Sequence, residues 1–173
     1  SQFIHDKCLY PAKHHDALIG SEYRALARYL GDREANRSLW LYFSPAAEHE
    51  AEQFLHENRL SPHGYICLCP FTTRPQKHWF QDRWAQLATK LYHERGWPVV
   101  IVGGPGDGLE ARNIMSRIPE GIPVFSTAGE KRPLQFALAL LAHSRGVVGV
   151  DTGLTHAGIG VGRPTVALFG STR

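Results

Sequence analysis

Two short segments hold most of the side chains in this sequence that could do chemistry. In the first, Val150-Asp151-Thr152-Gly153-Leu154-Thr155-His156, the apolar run Gly146–Val150 stops at a carboxylate, followed by hydroxyls, a glycine and an imidazole. The run predicts a strand, and the residues after Thr-Gly predict a helix. In a parallel α/β sheet, ligands bind where the carboxyl end of a strand faces a helix N-terminus. The free N–H groups of that first turn attract anions. A phosphorylated, hydroxyl-rich ligand therefore suits the segment. Helix capping by Asp151 and a solvated or core His156 would account for the same residues equally well.

The second segment is Pro70-Phe71-Thr72-Thr73-Arg74-Pro75-Gln76-Lys77-His78-Trp79, again directly after an apolar run, Tyr65–Cys69, and ahead of a helix expected from about Gln81. Two hydroxyls and loop N–H groups can donate to phosphate oxygens, and Lys77 adds a compact positive charge. It is not a P-loop, because the spaced glycines and the Gly-Lys-Ser/Thr ending are absent. Alone it fits an ordinary βα loop with a solvated lysine. Its weight comes from matching the first segment.

The elements that must position these residues follow from the apolar pattern. Strands are expected at 65–69, 98–102, 124–126, 147–150 and 165–169. Helices are expected at 81–95 with Gly96 as its stop, from the Gly103–Gly108 loop to about Ile118, from Pro133 through Leu141, and at 154–161. Strands apolar throughout and alternating with amphipathic helices predict a parallel sheet covered on both faces. The fold class is α/β, a Rossmann-like parallel sheet with flanking helices over 61–173. Residues 1–60 read as a connector with two helices, Asp16–Leu30 and one after the Ser44-Pro45 cap, separated by a short extended run at Leu39–Phe43.

Composition narrows the function. The chain has 173 residues and a net charge of +3, with no dense Lys/Arg tract, so nothing argues for nucleic acid. Cys67 and Cys69 share one face of a strand and are poor disulfide partners, which predicts buried reduced thiols and a cytosolic setting. No apolar run approaches membrane-spanning length and no secretory signal pattern is present. The ten histidines form no HExxH or His/Cys zinc pattern, so no metal site is expected. No Asp-x-Asp pair exists to hold Mg²⁺, leaving Lys77 and helix N-termini to neutralise a pyrophosphate. Gly103–Gly108 lacks GxGxxG spacing, which disfavours an NAD-dependent oxidoreductase. Met115 is the only methionine, and Phe169–Arg173 follows a strand without a covering helix; the chain reads as a piece of a longer protein, cut at both ends.

Together the two segments resemble the donor-half signature of bacterial lipopolysaccharide heptosyltransferases, glycosyltransferase family 9. The resemblance is carried by Thr72-Thr73-x-x-x-Lys77-His78-Trp79 with Arg83-Trp84-x-x-Leu87. It continues in Val148–His156 and Gly162-Arg163-Pro164-Thr165-Val166-Ala167-Leu168-Phe169-Gly170, and covers about residues 16–173. The Asp-Thr-Gly-Leu-x-His form is most similar to heptosyltransferase I.

The resemblance implies the C-terminal, donor-binding half of a GT-B enzyme. ADP-heptose would be its donor, and the Kdo sugar of the lipid A inner core its acceptor. The place would be cytoplasmic, at the inner face of the inner membrane, with peripheral membrane contact. Transfer would be inverting and metal-independent, with no cofactor. Carried over, Thr72, Thr73 and Lys77 hold the diphosphate, and Lys77 offsets charge on the leaving ADP. Asp151 bonds heptose hydroxyls, and Thr152, Gly153, Leu154 and His156 line the phosphates. Lys77 and Asp151 are the catalytic candidates. Arg132 falls near the adenine-lining position, with Glu110 or Asp107 towards the ribose.

The family's catalytic base belongs to an N-terminal domain that this sequence does not contain, so the chain alone is expected to bind donor or ADP and transfer nothing. The alternatives are another GT-B nucleotide-sugar enzyme, a UDP-sugar transferase or epimerase, and a noncatalytic nucleotide-binding module.

Overall fold

The computed structural model describes residues 28–31 and 41–170. Two compact units divide the chain at Leu39/Trp40. Of the first, the described residues are a last helical turn at Arg28 and Tyr29 and a stop at Gly31, whose φ of 99° is the left-handed geometry glycine supplies. The rest of the helix expected over 16–30 lies outside the described residues, as do His5, Cys8, His14 and His15.

The second unit is a five-stranded, all-parallel sheet. Its strands are β1 (Ile66–Cys69), β2 (Val99–Ile101), β3 (Val124–Ser126), β4 (Gly146–Val150) and β5 (Thr165–Leu168), and its helices are α1 (Pro45–Glu57), α2 (Gln81–Arg95), α3 (Gly108–Met115), α4 (Leu134–His143) and α5 (Gly153–Gly160). The strand order is β3-β2-β1-β4-β5. The chain winds outward from β1 to β3, crosses back, and winds outward again from β4. The order therefore reverses between β1 and β4, the two strands that feed the two chemistry-bearing segments.

Alternate side chains of the strands serve two cores, as the pleat dictates. Ile66, Leu68, Val99, Ile101 and Val150 face Trp84 and Ala88 of α2 and Ala111 and Ile114 of α3. Tyr65, Cys67, Cys69, Val100, Val102 and Val147 face α1, α4 and Ala157 of α5. Burial within the second core pushes the Cys69 thiol up to about 12, and burial also raises Cys67 and Tyr65. The Tyr65 hydroxyl donates to the Leu140 carbonyl at 2.6 Å, so its polar end is satisfied in the interior.

Two expectations need correction. The helix after Ser44-Pro45 is not part of a connector ending at residue 60. It lends Ala51, Phe54 and Leu55 to the sheet's own core, joined by Leu60, so the boundary lies ahead of it. Its amphipathic stripe needed a partner, and α4 supplies one. Of the extended run expected at 39–43, residues 41–43 lie outside the sheet ahead of α1, and Leu41 donates its N–H to the Gly160 carbonyl at 2.9 Å, tying the lead-in to α5. Helix α3 ends at Met115, short of Ile118.

Candidate functional site: the seam between β1 and β4

The β1 loop is shaped by its own short-range bonds. After Thr72-Thr73, Pro75–Lys77 forms a single 3₁₀ turn, with the Lys77 N–H on the Arg74 carbonyl at 2.9 Å. His78 Nε2 meets the Thr72 carbonyl at 2.7 Å, closing the loop on itself. Trp79 then packs edge-on against Trp84, centroids 5.0 Å apart, across the first turn of α2. These are the positions of a hydrophobic staple, which fixes the angle at which the chain enters the helix and hence the seat of Lys77.

The β4 loop is tighter still. Val150 ends the strand, Asp151 follows, and Thr152 in extended geometry caps α5 without a side-chain bond to the helix. The first N–H groups of a helix have no intrahelical partner. Those of Gly153 and Leu154 therefore open at the positive end of the helix dipole. The helix lies close to the sheet because of two glycines. A Cβ on Gly149 would meet Thr155 Oγ1 at 2.0 Å and Cys69 Cβ at 2.8 Å; one on Gly158 would meet Val147 Cγ2 at 2.9 Å. The glycine richness of α5 thus serves helix–sheet packing at Gly158. Gly162, at φ 76°, follows the helix where a left-handed turn is required.

The two loops meet. Lys77 Nζ donates to Asp151 Oδ2, while His156 Nε2 lies 3.1 Å from Asp151 Oδ1. The Lys77 hydrogen bond, then that of His156, holds the Asp151 carboxyl below its usual range. Lys77 and Asp151 side chains are 15% and 20% exposed, so the pair sits half sheltered on the wall of a cavity. That cavity, about 720 Å³, runs along the carboxyl ends of the strands. At the seam end it is lined by Thr72, Thr73, Lys77, Asp151, Thr152 and Gly153, with Leu154 beside them.

The far end of the cavity comes from the loops after β2 and β3. Arg132 lies over the Phe136 ring at 4.4 Å and is ion-paired to Glu130. Both line the cavity, as do Thr127 and Leu134. Arg132, backed by the buried Phe136 ring, presents a flat cationic face beside the exposed Leu134, which suits a heterocycle; a lysine and helix N–H groups at the other end suit phosphates. The volume falls in the range of small-molecule pockets.

Nine of the sequence-named residues line this cavity, namely Thr72, Thr73, Lys77, Asp107, Arg132, Asp151, Thr152, Gly153 and Leu154; Glu110 and His156 do not. The His156 side chain is 53% exposed and engaged with Asp151, so it braces the carboxylate instead of facing the cavity. Asp107 reaches the wall, but its Oδ2 accepts the Gly104 N–H at 2.7 Å and shapes the β2 loop. Sequence reasoning passed over Arg74, Thr127 and Glu130, all on the wall. Their position just past strand ends was the available signal. Among the described residues, Glu48, Glu52 and His143 bring possible metal-ligand atoms within 4.8 Å of one another. None of the three lines the cavity; His143 Nε2 lies 3.6 Å from Glu48 Oε1, beyond hydrogen-bond reach, and is buried without a hydrogen-bond partner.

A parallel sheet whose order reverses beside a ligand-suited seam is a Rossmann-like architecture, and it matches one half of the GT-B-like heptosyltransferase structures. Residues 23–173 match glycosyltransferase family 9 (heptosyltransferase), and the chain belongs to that family. It is 29% identical over 171 residues to lipopolysaccharide heptosyltransferase 1 of Salmonella typhimurium, covering 94% of this chain and 49% of that protein. Among solved structures, it resembles Escherichia coli ADP-heptose LPS heptosyltransferase II, with a TM-score of 0.72 and 27% identity over 90% of this chain and 49% of that one. It also resembles E. coli heptosyltransferase WaaC with ADP-2-deoxy-2-fluoro heptose, with a TM-score of 0.63 and 26% identity over 95% and 50%. The chain spans about half the length of these relatives.

Proposed function

We propose that this chain is the donor-binding half of a heptosyltransferase that moves heptose from ADP-heptose to the Kdo-bearing inner core of lipopolysaccharide. The observation that carries the reading is the meeting of Lys77 and Asp151 on one cavity wall beside the α5 N-terminus. The bound donor analogue in the E. coli WaaC structure supports the choice of ligand. Adenine takes the Arg132–Phe136 end, and the diphosphate takes Thr72, Thr73, Lys77 and the Gly153 and Leu154 N–H groups.

The chemistry follows from that placement. An acceptor hydroxyl oxygen attacks the anomeric carbon from the face opposite the phosphate, so the configuration inverts. The bond from that carbon to the β-phosphate oxygen breaks, and its electron pair leaves with ADP. The hydroxyl proton passes to a carboxylate of the N-terminal half. Charge therefore grows on the departing phosphate, where Lys77 and the helix N-terminus already sit. Preorganised stabilisation of that kind is often the largest catalytic term. Neutralisation by Lys77 and backbone N–H groups requires no metal or other cofactor in this scheme.

To reach the diphosphate, Lys77 must loosen its hold on Asp151, which frees a carboxylate oxygen for the heptose hydroxyls. Residues 1–173 on their own, about half the length of the relatives they match, bind ADP and transfer no heptose in this scheme. The reaction belongs at the cytoplasmic side of the inner membrane with peripheral contact; among the described residues no helix is long and apolar enough to cross a membrane. Titration calorimetry with ADP and UDP tests the reading. ADP should bind more tightly, and a clear UDP preference would overturn the heptose assignment.

A further inference from the structure

Lys77 is carried on a single turn, and that turn rests on the far end of β5. Gly170 lies just past the strand. A Cβ built on it would stand 2.7 Å from the Gln76 carbonyl oxygen and 3.8 Å from Lys77 Cα. The obstructing atom is backbone, so no rotamer change relieves the contact; the turn or the strand end must move. Gly170 is outside the left-handed region, so its requirement is for space and not for conformation. Open space surrounds the Cβ positions of Gly96, Gly121 and Gly162, which sets Gly170 apart from glycines that serve turns.

The strand end is tied to the same seam as the carboxylate. Leu168 pairs with Val150, and Asp151 is the next residue along β4. On its other side the Lys77 turn is held by its own loop, through Lys77 N–H to the Arg74 carbonyl and His78 to the Thr72 carbonyl, and by the Lys77–Asp151 pair itself. Gly170 follows the last paired residue, Leu168, by two positions, so an added methyl is relieved by moving the turn or the strand's end, and either movement widens the gap between them.

We propose that Gly170 is a positioning residue for Lys77: its bare backbone sets how closely the Pro75–Lys77 turn approaches Asp151. The consequence for ligand binding rests on the donor-site reading above, whereas the effect on the Lys77–Asp151 pair does not. Gly170 is exposed beyond the strand, so Gly170→Ala spares both cores.

The test uses the full chain with Gly170→Ala, Lys77→Ala and the double variant. The side-chain carboxyl titration of Asp151, followed by ¹³C NMR, should move up towards the ordinary range in Gly170→Ala, as in Lys77→Ala, with the fold retained and the thermal midpoint lowered by a similar small amount in both. ADP affinity should fall about tenfold in Gly170→Ala and fall no further when that change is added to Lys77→Ala, the non-additivity of residues acting as one unit. An unchanged Asp151 titration, losses that simply add, or loss of the folded state would each overturn the proposal. Should the parent bind no ADP, the donor-site reading fails while the Asp151 titration still decides the positioning role.

Discussion

Lys77 and Asp151 stand 74 residues apart in the chain and join as an ion pair across two neighbouring parallel strands. Neither side chain belongs to a regular helix or strand interior. Asp151 directly follows β4, whereas Lys77 ends the 3₁₀ turn of the loop after β1, and the adjacency of β1 and β4 brings them together.

The pair makes stability depend on pH with a definite sign. Its folded carboxyl titrates lower than in the unfolded chain, so the contribution is fully present above the unfolded value of roughly 4 and lost as pH falls through the folded one. Denaturant midpoints measured from pH 6 down to pH 2 should therefore show a steeper acid loss for the parent than for Lys77→Ala. Parallel curves would mean that the pair does not persist in solution.

The two ends of the cavity should separate in ligand competition. Lys77→Ala should weaken both ADP and inorganic pyrophosphate, by roughly the 2–3 kcal/mol of a charge-assisted bond to phosphate. Arg132→Ala should weaken ADP several-fold, about the 1 kcal/mol of a lost cation–π or stacking contact, and leave pyrophosphate unchanged. Equal losses for both ligands in Arg132→Ala would move the heterocycle elsewhere.

Glycine substitution in and under α5 should oppose helix propensity. Alanine at Gly158 gains up to about 1 kcal/mol as a helix former, yet its methyl would press Val147 Cγ2 at 2.9 Å and Thr165 Oγ1 at 3.0 Å. Net destabilisation of about 1–3 kcal/mol is expected, the usual cost of overpacking. Gly149→Ala should cost more, since Thr155 and Cys69 both block the added methyl. Urea unfolding of the two variants measures the order.

The buried thiols should be silent. With the Cys69 thiol pushed up to about 12 and Cys67 also raised, neither supplies thiolate near neutrality. In a Cys8→Ser background, a disulfide reagent at pH 8 should label nothing until denaturant is added. Rapid labelling of the native chain would show that the sheet opens locally.

The strands and helices of the sheet domain were legible because each is long enough to show its period: Tyr65–Cys69 and Val99–Ile101 are wholly apolar, and α2 carries its stripe from Trp84 to Tyr92 with Gly96 behind it. The 3₁₀ turn at Pro75–Lys77 was not, because one turn has no period to read. Helix α1 was recognised but misassigned to a connector, since nothing local says which surface an amphipathic stripe will cover. Lys77 and Asp151 were found as residues that suit a diphosphate and sugar. Their bond to each other depends on strand order, which no local pattern encodes; the turning of His156 towards Asp151, five residues away, is set by the first turns of α5. Glu130 was missed although the strand expected at 124–126 ends beside it, because a carboxylate says nothing by type about whether it faces a ligand or pairs with a neighbour such as Arg132.

The β2 and β3 loops touch through bare backbone: a Cβ on Gly108 would lie 2.9 Å from Gly129 Cα, and the Gly129 N–H bonds the Gly104 carbonyl at 2.9 Å. The same loops also rest on the loop that carries Lys77, since a Cβ on Gly103 would stand 2.5 Å from the Phe71 ring. The bare backbone at positions 103, 108 and 129 is therefore a fixed floor, and the room for change lies in the side chains above it. Related proteins that differ in nucleotide preference should accordingly diverge around positions 130 and 132 while these three glycines stay small.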